Sequence, residues 1–227
     1  RVPPDELERR MRRFIDRMDI DNPEWEYAAL FRGVNLYYFT GTIQDAMLLV
    51  PRDGEAVLFV RRSYERALAE SSFPRIEPMQ SYRDAASGSR NVPDTVYLES
   101  EYVTLGLFER LQKHFAFSRA RPLDLQVGKV RAVKSAFELS RMEQAGAIHE
   151  RVLEKCVPLI LTEGMSEAEF GTMVYSVMVR EGHQGVVRFG GLGIEIEVGQ
   201  LGFGENSLYP TSFDGPGGCR GLCPAAP

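Results

Sequence analysis

The sequence has few of the residues on which disulfide frameworks and many metal sites depend. Its 227 residues include only 3 cysteines and 3 histidines. A small, odd number of cysteines excludes a disulfide framework and indicates a reducing compartment. Cys219 and Cys223 have a C-x3-C spacing, but a zinc site of this kind needs a second pair of ligands, and no histidine follows His183. We therefore expect no metal site in this sequence.

A positive net charge and long apolar segments are also missing. The 27 lysines and arginines are outnumbered by 32 acidic residues, for a formal charge of -5, which argues against a nucleic-acid-binding surface. No apolar run approaches the roughly 20 residues that span a bilayer. The arginine-rich N-terminal segment lacks the apolar core of a signal peptide. The sequence thus predicts a cytoplasmic protein with neither a nucleic-acid partner nor a membrane partner.

The remaining composition is that of a globular protein, because 44% of the residues are hydrophobic and 26% are charged. Apolar spacing predicts helices over residues 4–18, 63–71 and 105–115. Short apolar runs predict strands over residues 27–31, 46–50, 56–60, 96–98 and 119–123. Two of these strands flank residues 51–54 (PRDG), a turn sequence typical of a hairpin. The alternation of helices with strands indicates an α/β domain, which we assign to residues 1–123.

A change of pattern marks a second domain. Residues 124–134 are predicted to be a linker, and residues 135–227 to be the second domain. Two capping boxes lie in this part, at residues 135–138 (SAFE) and 166–169 (SEAE). In a capping box, the serine hydroxyl and the glutamate carboxylate each accept a hydrogen bond from an otherwise unbonded amide at a helix start. We therefore expect two helices here, the first reaching residue 161 and the second reaching residue 180.

The rest of the second domain is expected to be irregular. Pro158 lies inside the first of these helices and is expected to kink it or end it early, because proline lacks an amide hydrogen. Ten of the 21 glycines fall within residues 188–227. This density predicts strands and turns without helix, and it indicates a chain that is cut short.

Four segments follow one another in an order that is known from a protein family. They are residues 35–41 (NLYYFTG), 131–139 (RAVKSAFEL), 162–167 (TEGMSE) and 213–218 (FDGPGG). Each motif is short, but their joint order and spacing resemble those of the creatinase/aminopeptidase P/prolidase family. The resemblance extends over the whole chain.

The resemblance implies a fold and an oligomeric state. The expected fold class is α/β, with an N-terminal creatinase-like mixed sheet flanked by helices. An incomplete α+β pita-bread domain is expected to follow it. The resemblance also implies a homodimer, in which the N-terminal domain helps to shape the active site.

The resemblance further implies an activity, that of an Xaa-Pro aminopeptidase or dipeptidase acting on a proline-containing peptide. In the family, two aspartates, a histidine and two glutamates hold a pair of divalent metal ions. Such oxygen-rich ligands with one imidazole suit Mn, Co or Zn. These ligands come after the segment that corresponds to residues 213–218. The resemblance therefore implies that this chain has no catalytic residue, holds no metal and is inactive alone.

Three residues are candidates for lining a substrate site, namely His183, Tyr38 and Phe213. His183 follows a helix, where an imidazole also caps carbonyl groups and interacts favourably with the helix dipole. Tyr38 belongs to an aromatic cluster with Tyr37 and Phe39 for which core packing is the favoured interpretation, although Tyr37 or Tyr38 could instead face the cleft of a partner subunit. Both alternatives stay open at the level of sequence.

The chain departs from the peptidases at one motif. A Gly-x-Asn sequence such as residues 204–206 is followed in the peptidases by a histidine that contacts substrate, and residues 207–211 (SLYPT) contain none. A second hypothesis is therefore a non-catalytic, peptidase-like binding module, as in a histone chaperone subunit of the FACT complex. A third is cleavage of a non-peptide C–N bond, as in creatinase.

Overall fold

The computed structural model describes residues 1–88, 93–188, 195–196 and 198–208. The chain divides into two compact units, the first spanning Arg1–Ser135 and the second beginning at Ala136. Each unit is described by itself.

The first unit alternates helices and strands. Its helices are α1 (Pro4–Asp21), α2 (Gly33–Thr40), α3 (Tyr64–Glu70), α4 (Tyr82–Gly88), α5 (Leu105–Gln112) and α6 (Asp124–Ala132). Its strands are β1 (Tyr27–Leu30), β2 (Ala46–Pro51), β3 (Val57–Val60), β4 (Ile76–Pro78), β5 (Thr95–Leu98) and β6 (Arg119–Pro122). Every helix and strand predicted for residues 1–123 is present within a few residues of its expected ends.

The six strands form one mixed sheet in the order β4-β3-β2-β1-β5-β6. β2 runs antiparallel to both of its neighbours, with Tyr27 opposite Pro51 and Ala46 opposite Val60. All other neighbouring pairs are parallel. The predicted hairpin and the predicted mixed sheet flanked by helices are therefore confirmed.

Both faces of the central strands are covered, because β1, β2 and β3 are apolar and buried at nearly every position and successive side chains point to opposite faces. One face carries Ala29, Met47 and Phe59, which pack in one cluster with Ala85 of α4 and Leu111 of α5. The neighbouring strand residues point to the opposite face, where α2 packs against β2. There the rings of Phe14, Trp25 and Phe39 are fully buried and contact one another around Phe14.

Helix α2 was not predicted from the sequence. Its residues are largely β-branched or aromatic, types that have low helix propensity. The helix ends at Gly41, whose φ of 77° lies in the left-handed region and whose amide donates to the Tyr37 carbonyl at 2.8 Å. Burial of Leu36 and Phe39, each 0% exposed, outweighs the weak intrinsic propensity.

Residues 124–134, predicted to be a linker, instead contain helix α6. This helix packs on α1. Arg13 of α1 donates to the Val130 and Val133 carbonyls at 2.9 and 3.1 Å, and Lys129 forms an ion pair with Asp21 at 2.8 Å. The sequence did not reveal α6 because its apolar positions are few and Gly128 interrupts them.

The second unit begins with a helical region in three parts. These are α7 (Ala136–Glu150), a π-helical turn (Arg151–Cys156) and α8 (Val157–Ile160). The Val157 amide donates to the Val152 carbonyl, five residues back. Pro158 has no amide hydrogen to continue the α-helical pattern, which is consistent with the wider turn before it. Pro158 thus interrupts the predicted helix without ending it.

The remaining elements are α9 (Glu167–Arg180), a two-stranded antiparallel sheet of β7 (Val187–Arg188) and β8 (Glu195–Ile196), and a 3-10 turn (Gly204–Leu208). The capping box of Ser166 and Glu169 is confirmed, since each side chain accepts from the amide of the other residue. The 3-10 turn corrects the expectation that the glycine-rich segment has no helical turn.

Among the residues that the structure describes, no helix is both long enough and apolar enough to cross a bilayer.

Candidate functional site

Tyr38 lies in the interior of the first unit. Its residue exposure is 6%, whereas that of the adjacent Tyr37 is 47%. The guanidinium of Arg10 lies over the Tyr38 ring, 4.4 Å from its centroid, and the ring of Phe39 packs edge-on against it at 5.0 Å. Tyr38 is thus a packing residue of this unit, and Tyr37 is the tyrosine whose ring is accessible. The substrate-lining role of Tyr38 stays a prediction.

A buried ion pair supports this tyrosine. Glu6 and Arg10, one turn apart on α1, have side-chain exposures of 1% and 5%, and the Arg10 Nε donates to Glu6 Oε1 at 2.8 Å. Ser135 also donates to Glu6 Oε1, at 2.6 Å, and Arg10 donates to the Tyr38 carbonyl at 2.8 Å. Burial alone would raise the pKa of Glu6, but hydrogen bonds from Ser135, Arg9 and Arg10 and the Arg10 charge lower it. The carboxylate is therefore held ionised.

A second buried carboxylate lies where β5 ends. Glu99 is 1% exposed. Its Oε2 accepts from the backbone amides of Phe31 and Arg32 at 2.6 and 2.8 Å, and its Oε1 accepts from the Asn35 amide at 2.5 Å. The Arg131 guanidinium donates to Asn35 Oδ1 at 2.8 Å, so it orients that amide toward Glu99. These contacts join β1, the start of α2, β5 and α6 at one edge of the sheet.

An exposed apolar patch lies beside this edge. Val34 and Tyr37 occupy neighbouring positions on α2 and are 43% and 47% exposed, and Ile43 is 57% exposed. A Cβ added at Gly33 would lie 3.2 Å from the Ile43 side chain, so Gly33 allows Ile43 to approach the helix closely. The patch is small, and single exposed apolar residues are common on protein surfaces.

His183 caps helix α9, but through its backbone. Its amide donates to the Met178 carbonyl at 2.9 Å, after Gly182 in the left-handed region at φ 104°. Its imidazole packs edge-on against the Tyr175 ring at 5.9 Å. The imidazole Nε2 is buried and has no hydrogen-bond partner among the described residues. The helix end is thus capped by the backbone amide of His183 and not, as expected, by its imidazole.

His183 also lines a groove in the second unit. This groove has a volume of about 680 Å³. Most of its lining is apolar, with Val152, Phe170, Val174 and Leu201 among its residues, and two imidazoles, of His149 and His183, contribute to it. Its shape and apolar lining are compatible with ligand binding. The substrate-lining role of His183 stays a prediction.

A third carboxylate organises the loop that precedes the 3-10 turn. Glu167 accepts from the Phe203 amide at 2.6 Å and from the Asn206 side-chain amide at 3.0 Å. The Phe203 amide first, and then Asn206, lower the pKa of Glu167. The motif at residues 204–206 is thereby tied to the start of α9.

The described residues do not fit a metal pair. They contain no group of three or more His, Cys, Asp or Glu side chains that could hold a metal ion. The sequence candidate Phe213 and the cysteines Cys219 and Cys223 lie outside the described residues. Sequence reasoning missed Glu6, Glu99 and Glu167, and the only available signal for Glu99 was a carboxylate directly after a buried strand.

Comparison with protein families and curated proteins gives one match to a family and several relatives. Residues 10–133 match the family described as the Creatinase/Prolidase N-terminal domain. A protein named as an uncharacterized peptidase, from a bovine strain of Staphylococcus aureus, is 27% identical over 159 residues, and the match covers 66% of this chain and 44% of that protein. This chain thus spans about half the length of such relatives.

Solved structures resemble this chain across more than its first unit. An X-Pro aminopeptidase from Thermotoga maritima is 25% identical, with a TM-score of 0.62, and the match covers 78% of this chain and 50% of that one. A prolidase from Pyrococcus horikoshii has a TM-score of 0.67 at 22% identity, again over 78% and 50% of the two chains. The predicted fold class, including the start of the pita-bread domain, is confirmed.

Proposed function

Because the chain belongs to the creatinase/prolidase N-terminal domain family, we propose that it is the amino-terminal part of an Xaa-Pro peptidase. The observation that carries the proposal is the match over residues 10–133 to a family that takes its name from prolidase. The X-Pro aminopeptidase of Thermotoga maritima, similar over 78% of this chain, supports it. The proposed substrate of the whole protein is a proline-containing peptide.

We assign the two units different roles in that protein. The first unit is a folded support that presents α2, and the accessible ring on it is that of Tyr37. The second unit begins the catalytic domain. The described residues of this chain do not suit a metal pair, so we assign the proposed Mn, Co or Zn ions to residues that the whole protein supplies beyond them.

We further propose a homodimer in the cytoplasm. The proposed location rests on the small, odd number of cysteines, which suits a reducing compartment. In the dimer, Tyr37 is the tyrosine available to a partner subunit, because Tyr38 is buried against Arg10. The proposed substrate-lining residues are His183, Tyr38 and Phe213, and the accessible Tyr37 is the alternative to Tyr38.

The test compares the whole protein with the 227-residue chain. The whole protein is treated with a chelator, supplied with Mn, Co or Zn, and assayed for hydrolysis of an Xaa-Pro dipeptide and of the matching Xaa-Ala dipeptide. We expect metal-dependent cleavage of the Xaa-Pro dipeptide alone, and no cleavage of either by the 227-residue chain.

The absence of histidine at residues 207–211 favours a second candidate, a non-catalytic binding module. This candidate predicts that the whole protein neither binds the metals nor cleaves either dipeptide. That result would contradict the peptidase proposal, and isothermal titration calorimetry with the three metals measures the binding directly.

A further inference from the structure

The sheet of the first unit reverses its strand order at one point. From β1 the chain continues to β2, β3 and β4 on one side, and it returns to β5 and β6 on the other. β1 and β5 are parallel neighbours, so their carboxyl ends lie at the same edge. In open α/β sheets, ligands bind in the crevice at such a reversal, outside the carboxyl ends of the strands. The crevice between β1 and β5 is therefore where this topology favours a ligand.

The crevice contains three donors that converge on one carboxylate. Two are the consecutive backbone amides of Phe31 and Arg32, which lead into α2, and the third is the Asn35 side-chain amide. Successive backbone amides that point to one place favour an anion because each N–H carries partial positive charge. Arg131 donates to Asn35 Oδ1 and so holds the third donor in place. The group that accepts all three hydrogen bonds is the 1% exposed Glu99.

We propose that the β1–β5 crevice is a carboxylate-binding site that the chain fills with its own Glu99. The carboxylate acts as an internal ligand and positions the segment from Phe31 to Asn35, from which α2 begins. Glu99 is thus a positioning residue for the helix that carries Tyr37. This positioning role does not require peptidase activity, because it consists only of hydrogen bonds within the first unit.

The internal ligand can be replaced by a free one. Glu99→Ala deletes a CH₂–COO⁻ group, which has the size and charge of acetate. The variant leaves three donors of the crevice without their acceptor, and buried donors without acceptors destabilise a fold. Acetate that occupies the crevice binds the folded chain and stabilises it by mass action. If the Kd is on the order of 10 mM, acetate at about ten times the Kd raises the ratio of folded to unfolded chain about elevenfold over the ratio without acetate.

The measurement uses the full 227-residue chain and two readouts. Urea unfolding is followed by the fluorescence of Trp25, the single tryptophan, which lies buried in the first unit. Amide proton and nitrogen shifts of Phe31 and Arg32 are followed by NMR during titration with sodium acetate, against sodium chloride at equal ionic strength. We expect saturable shifts and increased stability with acetate in Glu99→Ala, and neither in the wild type.

Two further variants act as controls. Glu101→Ala removes an exposed carboxylate two residues away, and acetate should leave its stability unchanged. Adding Asn35→Ala to Glu99→Ala removes one donor of the crevice, and it should weaken acetate binding at least several-fold.

The possible outcomes separate the proposal from a merely structural role. Recovery by acetate, including acetate-dependent folding of a variant that is unfolded without it, supports the proposal. It is overturned if acetate acts on Glu99→Ala no more than chloride does, if the Phe31 and Arg32 amides do not respond, or if the variant stays unfolded at every acetate concentration.

Discussion

At the scale of single residues, three carboxylates organise backbone far from them in sequence. Glu6 accepts from Ser135, Glu99 from the amides that follow β1, and Glu167 from the loop at Phe203. Charged hydrogen bonds of this kind are stronger than neutral ones, and at the buried Glu6 and Glu99 their loss leaves a buried group without its partner. Each carboxylate thus fixes a chain segment that lacks strong local preferences of its own.

The Glu6–Arg10 pair should be costly to break. Arg10→Ala leaves the Glu6 carboxylate buried with fewer partners, and we expect it to lower the free energy of unfolding of the first unit by about 3 kcal/mol. Urea unfolding followed by Trp25 fluorescence measures this change. The control is Arg12→Ala, which breaks the ion pair of Arg12 with Glu8. The side chains of these two residues are 67% and 69% exposed.

That exposed pair should contribute less than about 1 kcal/mol. Equal effects of Arg10→Ala and Arg12→Ala would contradict the assigned importance of the buried pair. A large effect of Arg10→Ala alone would agree with it, and would also include the loss of packing on the Tyr38 ring.

At the scale of elements, packing and chain reversal decide where helices begin and end. Helix α9 has a complete capping box, in which residues only three positions apart supply acceptors for the amides at its start. Helix α2 has no side-chain cap at Arg32, and it depends on burial of one face and on the left-handed Gly41 that follows it. Its end is therefore sensitive to a single substitution.

Gly41→Ala tests this dependence. An alanine at a φ of 77° is strained by roughly 1–2 kcal/mol, and we expect the first unit to lose about that much stability. The matched control is Gly128→Ala in α6, where an added Cβ meets nothing within 4 Å. It should stabilise the unit by roughly 0.5–1 kcal/mol, because alanine favours a helix interior.

The stability of both glycine variants is measured by thermal and urea unfolding, followed by Trp25 fluorescence. Changes of the same sign in the two variants would show that the left-handed conformation at Gly41 does not limit the stability of α2.

At the scale of the whole molecule, the two units differ in how much apolar surface they bury. The first unit has a sheet covered on both faces, with thirteen buried residues in the cluster on one face alone. The buried cluster described in the second unit consists of Val152, Phe170 and Val174, and no residue of α7 is buried. Since hydrophobic burial is the main stabilising contribution to folding, the second unit should be the less stable.

We therefore expect two separate unfolding transitions. Far-ultraviolet circular dichroism, which reports the helices of both units, should begin to fall at lower urea than Trp25 fluorescence, which reports the first unit. Phe170→Ala should shift only the early transition to lower urea, because it lowers the free energy of unfolding of the second unit by about 3 kcal/mol or more. Phe14→Ala should shift only the late transition, which reports the first unit. Coincident transitions in the wild-type chain would contradict separate folding of the two units.

Local patterns were sufficient for much of the first unit. The amphipathic spacing of residues 4–18 and the apolar runs around the turn at residues 51–54 predicted α1, β2 and β3 with small errors at their ends. The same rules missed α2 and α6, because neither has a local pattern strong enough to compete with its aromatic, β-branched or glycine residues. For the candidate site, the sequence showed which residue types are present, but it did not show which of their side chains lie within hydrogen-bonding distance of one another.

The sequence by itself determined the α/β class, the hairpin, the capped α9 and the family, because these depend on local periodicity, capping residues and motif order. Only the tertiary structure decided that Tyr38 is buried while Tyr37 is accessible, and that residues 124–132 are a helix. It also decided that Glu99 closes the crevice between β1 and β5. These features depend on contacts between residues up to 129 positions apart, such as Ser135 with Glu6, and no local pattern encodes which of many carboxylates will meet a given amide.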